Sequence, residues 1–181
     1  MRVVGGSLGG RRYNPPARIP ARPTTDMARE GLFNILQNLI DLDGARMLDL
    51  FAGTGSIAYE CLSRGARTVD CVEKDAASAD FIRKTASDFG VAEGLRIHRS
   101  DVFSFLDKIA APEYDLVFAD PPYAHPRMKD LPALIFTTAL RPEDGVCVLE
   151  HDGRHHFSDA PHFLREAKYG DTRFSFFTSQ S

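Results

Sequence analysis

The sequence predicts an α/β domain: a mostly parallel sheet with helices on both faces, ending in an antiparallel hairpin. Three observations carry this. From residue 45 onward, short apolar runs of strand character alternate with helical stretches over short connections, the pattern of right-handed β-α-β units. The last two strand-like runs flank a single glycine turn, as in a hairpin. At 181 residues and 43% hydrophobic composition, the chain can bury the core of one such domain.

The elements follow in order. Residues 1–25 are rich in Gly, Pro and Arg and read as an irregular arm with a short strand at Arg2–Val4. Pro15, Pro16, Pro20 and Pro23 hold the arm towards extended conformations. Residues 26–181 form the domain proper. A first helix begins at Thr25 or Asp26, either a good N-cap, with Leu32, Ile35, Leu36, Leu39 and Ile40 on its buried face. Met47–Phe51 is a buried strand, and Ser56–Arg64 a helix closed by Gly65. Thr68–Glu73 is a strand. Ala76–Asp88 is a helix closed by Gly90, with Phe81, Ile82, Thr85 and Phe89 inward. Leu95–Arg99 is a strand and Val102–Ile109 a helix. Tyr114–Ala119 is a strand, Leu131–Ala139 a helix and Val146–His151 a strand. Leu164–Lys168 and Thr172–Thr178 make the hairpin around Tyr169-Gly170-Asp171.

Charge divides the chain. Arg2, Arg11, Arg12, Arg18 and Arg22 stand in residues 1–25 without an acid; since the formal charge is −3, removing these five cations leaves −8 on the rest. A basic arm on an acidic body suits an anionic partner such as nucleic acid, and guanidinium pairs bidentately with phosphate. A solvated arm without a partner is the alternative. Cys61, Cys71 and Cys147 are odd in number and lack metal-type spacing, which argues for a reducing compartment and against a disulfide framework or a zinc site. No apolar run approaches the length of a membrane span, and the N-terminus lacks the apolar region of a signal peptide. A cytoplasmic protein that acts as a monomer is expected.

Two constellations carry chemistry. The first strand runs into Asp49-Leu50-Phe51-Ala52-Gly53-Thr54-Gly55-Ser56. Glycines at a strand tip let ligand atoms approach the backbone, and the following helix start offers free N–H groups. Glu73, at the end of the second strand, is placed to accept from ribose hydroxyls, or is a solvated strand-end acid. Asp101, past the third strand, lies beside an adenine edge or simply caps a helix. NAD and S-adenosyl-L-methionine both suit such a cleft. A dinucleotide needs room for pyrophosphate, whereas the ammonium of S-adenosylmethionine favours a carboxylate, here Asp49. The stretch resembles the class I methyltransferase pattern D-x-F-x-G-x-G, matched by Asp49, Phe51, Gly53 and Gly55.

The second constellation is Asp120-Pro121-Pro122-Tyr123, which ends the fourth parallel strand. In a doubly wound sheet that strand lies beside the first, so both motifs face one cleft. The quartet resembles the signature of amino-methyltransferases acting on exocyclic amines of bases. Such an amine is a poor nucleophile because its lone pair is delocalised. The Asp120 carboxylate and the Pro121 carbonyl would accept its two hydrogens, the prolines would fix that carbonyl, and Tyr123 would stack on the base. A chance strand-ending turn is the bland alternative. His151, Asp152, His155 and His156 read as surface residues rather than metal ligands, and Arg127 and Lys129 as a solvated loop or RNA contacts.

The chain as a whole resembles the bacterial ribosomal RNA small-subunit methyltransferase D family. The marks are RVVGGSLGGRR, RPTTDMAREGLFNIL, LDLFAGTGSIAYECLSRGA, VEKD, LVFADPPY and YGDTRFSFF. The resemblance implies a class I, Rossmann-like sheet of seven strands with an antiparallel C-terminal strand. It implies S-adenosyl-L-methionine as cofactor, no metal, and methylation of guanine N2 in 16S rRNA of the small ribosomal subunit. It also implies Arg22 and Thr24 near the target entrance, while Arg11 and Arg12 of the basic arm are expected to contact RNA. Met27 stands where the family usually has a basic residue, and Gly31 where it usually has a bulkier one; a helical glycine costs roughly 1 kcal/mol unless close packing uses it. The rivals are an adenine-N6 or cytosine-N4 methyltransferase, an NAD-dependent oxidoreductase, and a non-catalytic RNA-binding assembly factor.

Overall fold

The computed structural model describes residues 1–19, 24–110, 113–141 and 143–179. Seven strands make one sheet: β1 (Arg46–Leu50), β2 (Thr68–Val72), β3 (Leu95–His98), β4 (Leu116–Ala119), β5 (Val146–His151), β6 (Phe163–Tyr169) and β7 (Thr172–Thr178). Their order is β3-β2-β1-β4-β5-β7-β6. β1 to β5 pair in parallel, and β7 inserts antiparallel between β5 and β6. The expected α/β class, with its antiparallel C-terminal strand, is what the chain forms.

Strand alternation distributes the core. Met47, Phe118, Val148, Phe174 and Phe176 face one layer, built from α1 (Asp26–Leu36), α2 (Ser56–Ser63) and α3 (Ala76–Phe89). Leu48, Leu50, Val117 and Leu149 face the other, built from α4 (Val102–Leu106) and α5 (Leu131–Thr138). Thr25 caps α1 by accepting the Ala28 amide, and left-handed Gly90 closes α3. Two helices stop earlier than their apolar periodicity suggests. After Leu36 and after Leu106 the chain tightens into i→i+3 turns, so Leu39, Ile40 and Ile109 still pack on the core without extending the helix.

The sheet order reverses at β1. β2 and β3 lie on one side, β4 and β5 on the other, so the C-terminal tips of β1 and β4 open the crevice expected at a topological switch point.

The arm is less irregular than its glycines suggest. Arg2 and Arg12 form an antiparallel bridge. Buried Glu60 on α2 accepts the amides of Val4 and Gly5, and Ser63 accepts the amides of Ser7 and Leu8. Gly6 sits at φ +72°, and a Cβ there would lie 2.0 Å from the Ser63 carbonyl oxygen, so this docking requires glycine. Val3, Leu8, Tyr13 and Ile19 are buried. Burial raises the Tyr13 hydroxyl pKa to about 12, with the Arg29 guanidinium opposing.

Gly31 is used by close packing. The Tyr169 ring lies where a Cβ would be, 2.2 Å from its built position. One histidine departs from expectation: His151 is fully buried, with Nε2 2.8 Å from Ser175 Oγ and Nδ1 2.8 Å from the Asp152 carbonyl. Its place at the end of a strand buried on both faces explains this, and burial lowers its pKa. Among the described residues no group of three or more His, Cys, Asp and Glu could hold a metal, and no helix is long and apolar enough to cross a membrane.

Candidate active site

A cavity of about 440 Å³ lies at the strand tips of the switch point. One wall is the turn after β1. Ala52 donates to the Val72 carbonyl and Gly55 to the Ala52 carbonyl, while Phe51 and Gly53 adopt left-handed φ of 62° and 56°. Phe51 holds this conformation without being glycine, a costly state that the surrounding structure imposes. The Gly53 amide donates to Glu73 Oε2 at 2.9 Å, and the other Glu73 oxygen accepts the Asp75 amide at 2.8 Å. The acid at the tip of β2 therefore also ties the glycine turn. Gly55 is not among the cavity-lining residues. It caps α2 in the left-handed region, and a Cβ there would meet the Tyr59 ring at 2.8 Å.

Asp49 lies beneath the turn and is only 2% exposed. Its Oδ2 has no hydrogen-bond partner among the described residues. Burial, then the negative charge of Glu73, raises its pKa to about 8, with the Ala58 amide opposing. A cation reaching Oδ2 would reverse that shift.

The facing wall is the quartet. The Asp120 amide donates to the Leu50 carbonyl, so the tips of β1 and β4 are zipped together beside the cavity. Pro121 is buried, Pro122 exposed and Tyr123 half-buried. The Pro122 carbonyl accepts the His125 amide at 2.7 Å in a tight turn, whereas no donor among the described residues bonds the Pro121 carbonyl. Two acceptors, a carboxylate and a carbonyl held by two prolines, thus stand at one strand tip beside an aromatic ring.

The structure brings Asp49, Phe51, Gly53, Glu73, Asp101, Asp120, Pro121, Pro122, Tyr123 and Thr24 to this single cavity. Asp101 lines it while also capping α4, accepting the Ser104 amide at 3.0 Å. The described arm arginines are not among the residues that line the cavity. Arg11 donates to the Asp88 carbonyl and lies over the Phe89 ring, and Arg2 pairs with Asp26. Guanidinium stems find apolar rings and helix-end carbonyls on their own domain, which a charge count does not show. Arg12 and Arg18 are exposed. Arg22 lies outside the described residues.

Among the cavity residues that the sequence did not single out are His125 and Glu150. His125 lines the cavity, stacked on Phe103 at 5.2 Å and edge-on to Phe51 at 5.9 Å, while Arg127 lies 3.9 Å over the same Phe103 ring. This aromatic stack fastens the loop after the quartet to α4. Glu150, 3% exposed near the end of β5, also lines the cavity and accepts the Thr24 hydroxyl at 2.9 Å. An acid at the tip of the strand beside the quartet was the available signal.

Comparison with known proteins agrees with this architecture. A family model described as "Conserved hypothetical protein 95" matches residues 1–178. "Putative rRNA methyltransferase YlbH" of Bacillus subtilis is 35% identical over 154 residues, covering 84% of this chain and 83% of that protein. "Ribosomal RNA small subunit methyltransferase D" of Escherichia coli is 37% identical over 123 residues, covering 68% of this chain and 60% of that protein. A solved Escherichia coli structure titled "Putative methyltransferase yhhF" superposes with a TM-score of 0.83 at 28% identity, covering 98% of this chain and 97% of that one.

Proposed function

Because the chain belongs to the Conserved hypothetical protein 95 family, we propose that it transfers a methyl group from S-adenosyl-L-methionine to the exocyclic N2 of a guanine in 16S rRNA of the small ribosomal subunit. The relatives' names support rRNA as the substrate class. The carrying observation is that the glycine turn and the Asp120–Tyr123 quartet line one cavity.

The residues present fit the cofactor. Asp49 offers a buried, unpartnered carboxyl oxygen, suited to an ammonium. Glu73 and Asp101 stand at the tips of β2 and β3 as acceptors for ribose and adenine. The same arrangement disfavours a pyrophosphate. The Gly53 amide that would greet it already serves the Glu73 carboxylate, which borders the turn. This counts against the NAD-dependent alternative.

When bound, S-adenosyl-L-methionine supplies a methyl group activated by a sulfonium. Asp120 and the Pro121 carbonyl accept the two hydrogens of the target amine and favour a pyramidal, nucleophilic nitrogen. Asp120, or water beside it, takes the proton that the amine gives up. Tyr123 stacks on the flipped base and holds it in line. Arg12, Arg18 and Arg22 supply backbone affinity, with residues 1–25 acting as an RNA-contacting arm on a catalytic domain of residues 26–181. The protein works as a cytoplasmic monomer and needs no metal.

Mass spectrometry of 16S rRNA tests the reading. Small subunits from a strain lacking the protein gain N2-methylguanosine after incubation with protein and cofactor; an unchanged nucleoside profile contradicts it.

A further inference from the structure

Glu150 is a second acid at the quartet's end of the cavity, and the mechanism above leaves it without a task. The register of β4 and β5 ends with Ala119 opposite Leu149. Asp120 and Glu150 are therefore the next residues at two neighbouring strand tips, and neighbouring strands lie about 4.8 Å apart. Both line the cavity with Tyr123 and Thr24. Glu150 is 3% exposed, and the Thr24 hydroxyl holds its Oε2 at 2.9 Å. A buried carboxylate is costly unless its acceptor positions are used. It has about four of them, so a donor from a base edge can join those already present.

We propose that Glu150 selects guanine over adenine and cytosine by accepting the ring N1–H that adjoins the target amine. This rests on the reading that the target is guanine N2. The quartet recognises an amine, and all three bases carry one. They differ at the adjoining ring nitrogen: guanine N1 bears a hydrogen, whereas adenine N1 and cytosine N3 present a lone pair. With the amine held by Asp120 and the Pro121 carbonyl, a neighbouring carboxylate gives guanine a charge-assisted hydrogen bond. The other two bases meet it lone pair to lone pair, a repulsion that works as discrimination. Thr24 sets the orientation of the carboxylate.

The test uses unmethylated small subunits carrying G, A or C at the modified position. Methyl-transfer rates are measured for the natural protein, Glu150→Gln and Glu150→Asp, with S-adenosylhomocysteine binding by calorimetry as the check on an intact cofactor site. The natural protein methylates the G subunits much faster than the A or C subunits. Glu150→Gln, whose amide can donate to adenine N1, loses roughly 10- to 100-fold on G and narrows the G-to-A ratio by a similar factor. Glu150→Asp, still an acceptor, is slower but keeps the ratio. An unchanged G-to-A ratio in Glu150→Gln overturns the inference. Failure of the natural protein on G subunits is a different result: it removes the functional reading, and this inference with it.

Discussion

Glu73 Oε2 accepts the Gly53 amide at 2.9 Å, so the tip of β2 fixes the turn that follows β1. The bond shapes the cofactor wall without any ligand. It leaves Glu73 with acceptor capacity for a ribose, because a carboxylate can take several donors. Glu73→Ala removes the tie to the turn and the proposed ribose acceptor. We expect S-adenosylhomocysteine affinity to fall roughly 10- to 100-fold, the worth of a hydrogen bond to a charged group, as read by calorimetry.

With Asp49 as the proposed partner of the cofactor's ammonium, cofactor binding should depend on pH. Its pKa in the folded, unliganded protein is about 8, so it is largely neutral at pH 7. An ammonium favours the ionised form, and binding then releases a proton. Affinity for S-adenosylhomocysteine should rise by up to about tenfold per pH unit as pH approaches 8 and then level. Stability moves the other way. The folded pKa lies above the ordinary value of 3.8, so the stabilising contribution is complete below that value and is lost as pH rises towards 8. Asp49→Asn abolishes both slopes. Against the natural protein its relative stability increases across this window, by roughly 1 kcal/mol per pH unit at most, in urea titrations at several pH values.

Tyr123 lines the cavity, and in the proposed function it stacks on the target base. Tyr123→Ala should weaken small-subunit binding by roughly 10- to 100-fold, since stacking is worth on the order of 1–3 kcal/mol. Cofactor affinity should stay unchanged. Filter binding of subunits alongside calorimetry separates the two effects.

Gly31 and Tyr169 should be energetically coupled. Gly31→Ala gains helix propensity of about 1 kcal/mol but forces Tyr169 out of its seat, at a typical overpacking cost of about 1–3 kcal/mol. Removing the ring with Tyr169→Ala should make the added methyl harmless. A double-mutant cycle by urea denaturation therefore shows non-additivity, with Gly31→Ala stabilising only in the Tyr169→Ala background.

Much of the fold was legible because strand and helix periods were clean and glycines marked the helix ends. Gly90 closes α3 as its position suggested, and Gly170 makes the hairpin turn. The arm was not legible. Its bonds run to Glu60 and Ser63, more than fifty residues away, and no local pattern encodes a glycine loop that docks on a distant helix. Local charge also misled: Arg2 and Arg11 look free in sequence yet bind Asp26 and the end of α3. His151 looked like a surface residue because its neighbours are polar, but strand burial governs it. The site was legible where glycine and proline restrict the backbone. His125 was missed because it becomes meaningful only through Phe103; Glu150 carried a signal, as an acid at the tip of the strand beside the quartet, but its partner Thr24 lies far away in sequence.

The central claim is that the tips of β1 and β4 form one methyl-transfer cleft, with Asp120 acting on the amine. The most direct test is single-turnover methyl transfer to unmethylated small subunits by the natural protein and by Asp120→Asn, with S-adenosylhomocysteine affinity measured in parallel. Transfer to guanine N2 by the natural protein is expected, with a loss of roughly 100- to 1000-fold in Asp120→Asn and unchanged cofactor affinity. Equal transfer rates for the two proteins would contradict that claim.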